Sequence, residues 1–133
     1  MMTIKNEKQI IDANIFLERF LTYRDIFSEY FKTIKVIDSG EALTYENYQR
    51  LEDNYIWNVK KLMIFSSSFI HKYNLEGSDI ANNLNEYFVV LIDGMQGINF
   101  EKNTVNYDKI EESKKLIEEK SIKFRESFSL ILQ

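Results

Sequence analysis

YIWNVKKLMIFSSSFIHKY, Tyr55–Tyr73, decides the fold. It holds the only tryptophan, the only histidine and the only run of three serines in the chain. Its formal charges are Lys60, Lys61 and Lys72. Leu51, Tyr55, Leu62, Phe65, Phe69 and Tyr73 fall at helical steps and share a face. Ile56, Trp57, Met63, Ile64 and Ile70 occupy much of the remaining circumference. The stretch is therefore expected to be the middle and end of one long helix, apolar on most sides, around which other helices pack. Ser66, Ser67 and Ser68 interrupt it with small residues. Their hydroxyls can bond back to a carbonyl one turn earlier, and they leave room for a neighbouring helix or a ligand.

Before this stretch, Phe16, Phe20, Tyr23, Phe27, Tyr30, Ile34 and Ile37 form a heptad-like seam. Ile10, Ala13, Leu17, Phe20, Phe27, Phe31 and Ile34 form a second, overlapping stripe, so the buried arc of this helix should be wide. Arg24 lies in the second stripe, as a snorkelling side chain or as an anion-reading one. Asp38-Ser39-Gly40 reads as a stop, and Thr44 as the cap of the next helix. That helix should end at Leu75-Glu76-Gly77. Ser78 caps a third, whose face is Ile80, Leu84, Tyr87, Phe88, Leu91, Ile92 and Met95. Tyr87–Ile92 (YFVVLI) also fits a strand, but the preceding ANNLNEY favours a helix, frayed or ended at Gly94 and Gly97. Ile98–Asn106 reads as a loop. Asn106 or Asp108 starts a last helix with a packing face of Ile110, Ile117, Phe124, Phe128 and Ile131.

The expected fold class is all-α: an antiparallel bundle of about four main helices, roughly 6–38, 44–74, 78–94 and 106–132, with no sheet. The 133 residues are expected to form one domain, 1–133. Proline and cysteine are absent and glycines number four, which disfavours loop-rich folds and excludes disulfides and thiolate metal sites. The net charge is −4 and no basic run exceeds a pair, so no nucleic-acid partner is expected. No apolar run is long enough to span a bilayer, and Lys5, Glu7 and Lys8 interrupt any signal-peptide core, so no membrane partner and a cytoplasmic location are expected. Composition rich in Ile, Lys, Asn, Phe and Tyr points to an AT-rich bacterial, plasmid or phage genome.

Chemistry-bearing patterns are few. His71 lies three and four residues after Ser68 and Ser67, but no third group to orient it is visible. A helix-end role at the negative dipole end suits His71 better. Neither the carboxylate-histidine pairing of di-iron bundles nor calcium-loop or phosphate-loop spacing occurs, so no catalytic residue, metal or cofactor is expected. The aromatic load is 14% of the chain. Trp57, Ser66, Ser67, Phe69 and Tyr87 are the candidates for a ligand pocket between helices. Phe88, Leu91, Phe124, Phe128 and Ile131 are the candidates for an interface.

LNEYFVVLIDGMQGI, Leu84–Ile98, followed by a loop and a long amphipathic helix, resembles the final helix pair of TetR-type repressors. The resemblance implies dimerisation through the last two helices; the N-terminal helix-turn-helix of such repressors has no counterpart here. The leading functional expectation is a non-enzymatic regulatory or inhibitory protein acting by protein–protein contact, as a homodimer. The alternative is a small-molecule sensor domain, similar to a repressor's ligand-binding part without its DNA-binding part.

Overall fold

The computed structural model describes residues 7–38, 45–99, 101–102 and 104–130. In chain order they form α1 (Glu7–Asp38), α2 (Tyr45–Lys72), α3 (Asp79–Ile92), a 3-10 turn (Asp93–Met95), β1 (Ile98–Asn99), β2 (Thr104–Val105) and α4 (Tyr107–Ser129). The expected all-α bundle is what forms. Tyr87–Ile92 is helix, not strand.

The helix ends follow local chemistry. The Ser78 hydroxyl accepts from Ala81 N at 3.2 Å and caps α3; Asn106 Oδ1 accepts from Lys109 N at 3.2 Å and caps α4. Helix α2 ends at Lys72, close to the expected end near 74, and the chain reverses at once. Asn74 takes a left-handed conformation (φ 54°), and Leu75 N donates to Ile70 O at 2.9 Å. That six-to-one bond is the Schellman closure, and Leu75, 1% exposed, supplies its apolar contact. The stop at Ser39-Gly40 and the cap at Thr44 lie outside the described residues, as does Ile131.

Aromatic rings fill the core. Phe16 of α1 lies against Phe69 of α2 (ring centroids 4.5 Å apart) and against Phe128 of α4 (5.6 Å). Phe20 meets Tyr87 of α3 at 5.0 Å and Phe124 of α4 at 4.6 Å. Further along α1, Phe27 and Phe31 meet the Tyr55 ring edge-on. The buried line of α1 is Ala13, Phe16, Phe20, Phe27, Phe31, Ile34 and Ile37. It draws on both expected stripes, because α1 touches α2 on one flank and α4 on the other. Tyr23 and Tyr30 are only half-buried, and Ile10 is exposed.

The expectation for α2 needs correction. Its buried line is Tyr48, Leu51, Tyr55, Val59, Leu62, Ser66 and Phe69, one clean face at three- and four-residue steps. On the opposite side Trp57 is 60% exposed and Ile64 is 70% exposed. Helix α2 is thus a wall of the bundle and not its axis. Four helices enclose one shared core, so each keeps an outward side.

The second correction concerns Ile98–Asn106, which is not wholly loop. Ile98 pairs with Val105 and Asn99 with Thr104 in a two-stranded antiparallel hairpin, extended by Asn106 N donating to Gly97 O at 2.8 Å. Buried Ile98 needs a fixed place, and β-branched residues at 98, 104 and 105 suit a strand pair. Gly97 permits it, since a methyl there would stand 2.8 Å from Ile110 Cγ1 and 3.0 Å from Asn106 O.

Candidate functional site

Between α2 and α3, the small side chains of Ser66 and Ser67 on α2 and Ala81 on α3 leave space unfilled among larger neighbours. The result is a cleft of about 350 Å³, with Met63, Ile70, Leu84 and Phe88 as apolar walls and Glu76 and Asn85 also lining it. This volume lies at the small end of the range for ligand pockets, roughly 300–1,000 Å³. Ser66, 1% exposed, stands in the floor, and its hydroxyl has no hydrogen-bond partner among the described residues. A buried hydroxyl without a partner is uncommon, because desolvating it costs free energy that nothing returns.

Alongside the cleft runs the outward side of α2. Trp57 and Ile64 lie two helical turns apart on it, and Lys61 Nζ stands 5.5 Å from the Trp57 ring centroid. From Asn54 to Leu75 there is no acidic residue, although the chain as a whole carries a net charge of −4. On α3 the exposed apolar residues are Val89 (58%) and Ile92 (46%). Each follows a cleft residue, Asn85 or Phe88, by one helical turn. Tyr55 fixes how the two helices lie together, because its hydroxyl donates to Leu91 O at 2.5 Å. Burial pushes the Tyr55 phenol far above its ordinary pKa, so it remains a donor.

The residues expected to form one pocket are separated. Ser66 and Ser67 line the cleft. Trp57 stands at the surface, outside it, because the helical step from Ser66 turns it away from α3. Phe69 is a core residue, packed on Phe16, Tyr73 and Phe128. Tyr87 faces α1, against Phe20. Of the residues expected at an interface, Phe88 (6% exposed), Leu91, Phe124 and Phe128 (each 0%) are buried within the single chain, Phe88 as a wall of the cleft and Phe124 and Phe128 against Phe16 of α1. Sequence reading missed the cleft's far wall, although Ala81 among larger neighbours was a usable signal.

Other electrostatic features serve the scaffold. Asp12 accepts from Lys72 Nζ at 2.6 Å and from the Tyr73 hydroxyl, tying the start of α1 to the end of α2. The Lys72 bond first, then the Tyr73 bond, holds the Asp12 carboxyl below its ordinary value. Glu86 is likewise lowered by Lys120 and then Lys123, which join α3 to α4. His71 Nδ1 lies 3.2 Å from Glu76 Oε1, while the Ser68 hydroxyl donates to Ile64 O at 3.3 Å, so the serine and histidine are engaged elsewhere. Among the described residues no group of three or more His, Asp or Glu is placed to hold a metal ion, and no helix is long and apolar enough to cross a membrane. No protein-family model, curated protein or solved structure matches the chain.

Proposed function

We propose that this protein is a non-enzymatic regulatory or inhibitory protein that acts by contact with another protein across the α2–α3 face. The occupant is an amphipathic helix of the partner, with acidic residues beside its apolar stripe. The observation that carries this is the outward pair Trp57 and Ile64, exposed at 60% and 70% on an acid-free segment that bears Lys60 and Lys61. Tryptophan is among the residues that most often dominate binding energy at interfaces. The cleft beside it, with Val89 and Ile92 beyond, offers the apolar trough that a helix-in-groove contact uses. The lysines favour an acidic partner, by steering and by register more than by raw affinity.

Trp57 is the only tryptophan, so its emission reports on this face directly. Helical peptides selected by display against the full chain supply the probe. An acidic amphipathic peptide should shift Trp57 emission to the blue in a saturable, salt-sensitive way. Ile64→Asp should abolish the response, and the same peptide with its acids changed to lysine should be silent. If no selected peptide moves the emission, the proposal fails.

A second reading rests on Ser66. Its unpartnered hydroxyl in the cleft floor suits a small, mainly apolar ligand with one polar group, as in a sensor domain. Such a ligand would raise the melting temperature of the full chain and lose affinity in Ser66→Ala. It would leave Trp57 emission nearly unchanged, since Trp57 stands outside the cleft.

A further inference from the structure

The cleft between α2 and α3 has a chemistry of its own. Met63, Ser66, Ser67 and Ile70 share one side of α2, and its lining reads large, small, small, large. Across from it, Ala81, Leu84, Asn85 and Phe88 share one side of α3. The space continues to the turn between the helices, where a methyl on Gly77 would meet nothing within 4 Å.

Ser66 sets the polar demand of this space. A helical serine usually satisfies its hydroxyl on the carbonyl one turn earlier. Ser68 does so, donating to Ile64 O at 3.3 Å. Ser66 Oγ has no partner among the described residues, although Ser66 is 1% exposed. A hydroxyl both donates and accepts, so an occupant's own hydroxyl can satisfy it in either sense.

The rest of the lining decides the charge of that occupant. The described lining holds no lysine or arginine, so an anionic head at Ser66 would be desolvated without a countercharge. Its charged residue is Glu76, whose side chain is 57% exposed and lies 3.2 Å from His71 Nδ1. A carboxylate that faces water and already has a partner holds an ammonium only weakly. Ser67 and Asn85 add neutral polar groups. The Phe88 ring and the Met63 thioether are surfaces on which a flat aromatic ring packs well.

We infer that the α2–α3 cleft binds an uncharged hydroxylated aromatic compound. Its hydroxyl bonds to Ser66 and its ring lies against Met63 and Phe88. This inference rests on the reading of the cleft as a small-molecule site and names its ligand class; the docking of a helix at Trp57 does not depend on it.

Four probes of one shape, titrated separately into the full chain by calorimetry, test it: p-cresol, toluene, p-toluate and p-methylbenzylamine. p-Cresol should bind at least about tenfold more tightly than the other three, the factor expected for one hydrogen bond made or one charge left unpaired. Ser66→Ala, which removes no hydrogen bond within the protein, should weaken p-cresol by about the same factor and leave toluene unchanged. Ser67→Leu, at an exposed position of the lining, should fill the cleft and abolish the binding of both. The inference is overturned if toluene or either charged probe binds as tightly as p-cresol, or if Ser66→Ala leaves p-cresol unaffected. Binding of p-cresol that survives Ser67→Leu overturns it too, by placing the compound elsewhere. Toluene equal to p-cresol, with both lost in Ser67→Leu, would remove the ligand class and keep the small-molecule reading. If none of the four binds saturably, both fall.

Discussion

A methyl group on Gly94 would stand 2.6 Å from the Tyr55 hydroxyl, 3.1 Å from Phe31 Cζ and 3.2 Å from Ile117 Cδ1. One residue after α3 thus sits where side chains of α1, α2 and α4 converge. Gly94→Ala should destabilise the protein by about 1–3 kcal/mol, the usual range for overpacking a filled core, as read by urea unfolding. Tyr55→Phe alone should cost about 1 kcal/mol, because the hydroxyl loses its bond while Leu91 O keeps one from Asp93 N. The double variant should be less destabilised than the sum, since the hydroxyl is the atom the new methyl meets first. Additive losses would show that the close approach at Gly94 is not to Tyr55. In the sequence Gly94 reads only as a helix terminator. Periodicity tells which face a residue is on, not how near the neighbouring helix comes.

Elements were legible where one local rule acts. Ser78 and Asn106 cap their helices through side-chain bonds that sequence alone suggests, and the spacing of Leu51, Tyr55, Leu62 and Phe69 marked part of the buried line of α2, while Phe65 and Tyr73 on the same expected face are only half-buried. The outward side of α2 was not legible. Ile64 and Trp57 add the same hydropathy to a pattern whether protein or water covers them. The paired ends of α1 and α2 were also hidden, because Asp12 meets Lys72 and Tyr73 only after the chain has turned back. That tie has a pH signature. The folded carboxyl lies below its ordinary value of 3.8, so its contribution is present in full above that value and is lost as pH falls through the folded one. Asp12→Asn should therefore be less stable than the parent near neutral pH. Thermal melts across an acid series should show the two curves converging at low pH. A constant gap throughout would mean that the Asp12 charge contributes nothing.

On the scale of the whole molecule, the same aromatic residues can serve a core or a dimer face, and a linear sequence does not say which. Phe88, Leu91, Phe124 and Phe128 fit either role by spacing; in the fold they are internal. A charged substitution discriminates. Phe124→Asp should abolish cooperative unfolding and helical circular dichroism, because it buries a carboxylate among Phe16, Phe20 and Phe128. A folded, smaller species by light scattering would instead mark Phe124 as a subunit contact. The α2–α3 cleft was half legible for a similar reason. Ser66 and Ser67 announced a gap, but the partner helix that makes a gap into a cleft comes from elsewhere in the chain.

The stacking of Phe16 on Phe128 has a consequence during synthesis. A ribosome releases α1 long before α4 has been made, so the nascent segment carries Phe16, Phe20 and Phe27 with one side uncovered. Helices α1 and α2 can pair early through Phe27, Phe31 and Tyr55. At the other end of α1, α2 can cover one side of Phe16 through Phe69, but the side of Phe16 and Phe20 that meets Phe128 and Phe124 waits for the final helix to leave the exit tunnel. In that interval the chain is sticky, and a chaperone has a defined stretch to shield, Ala13 to Phe20.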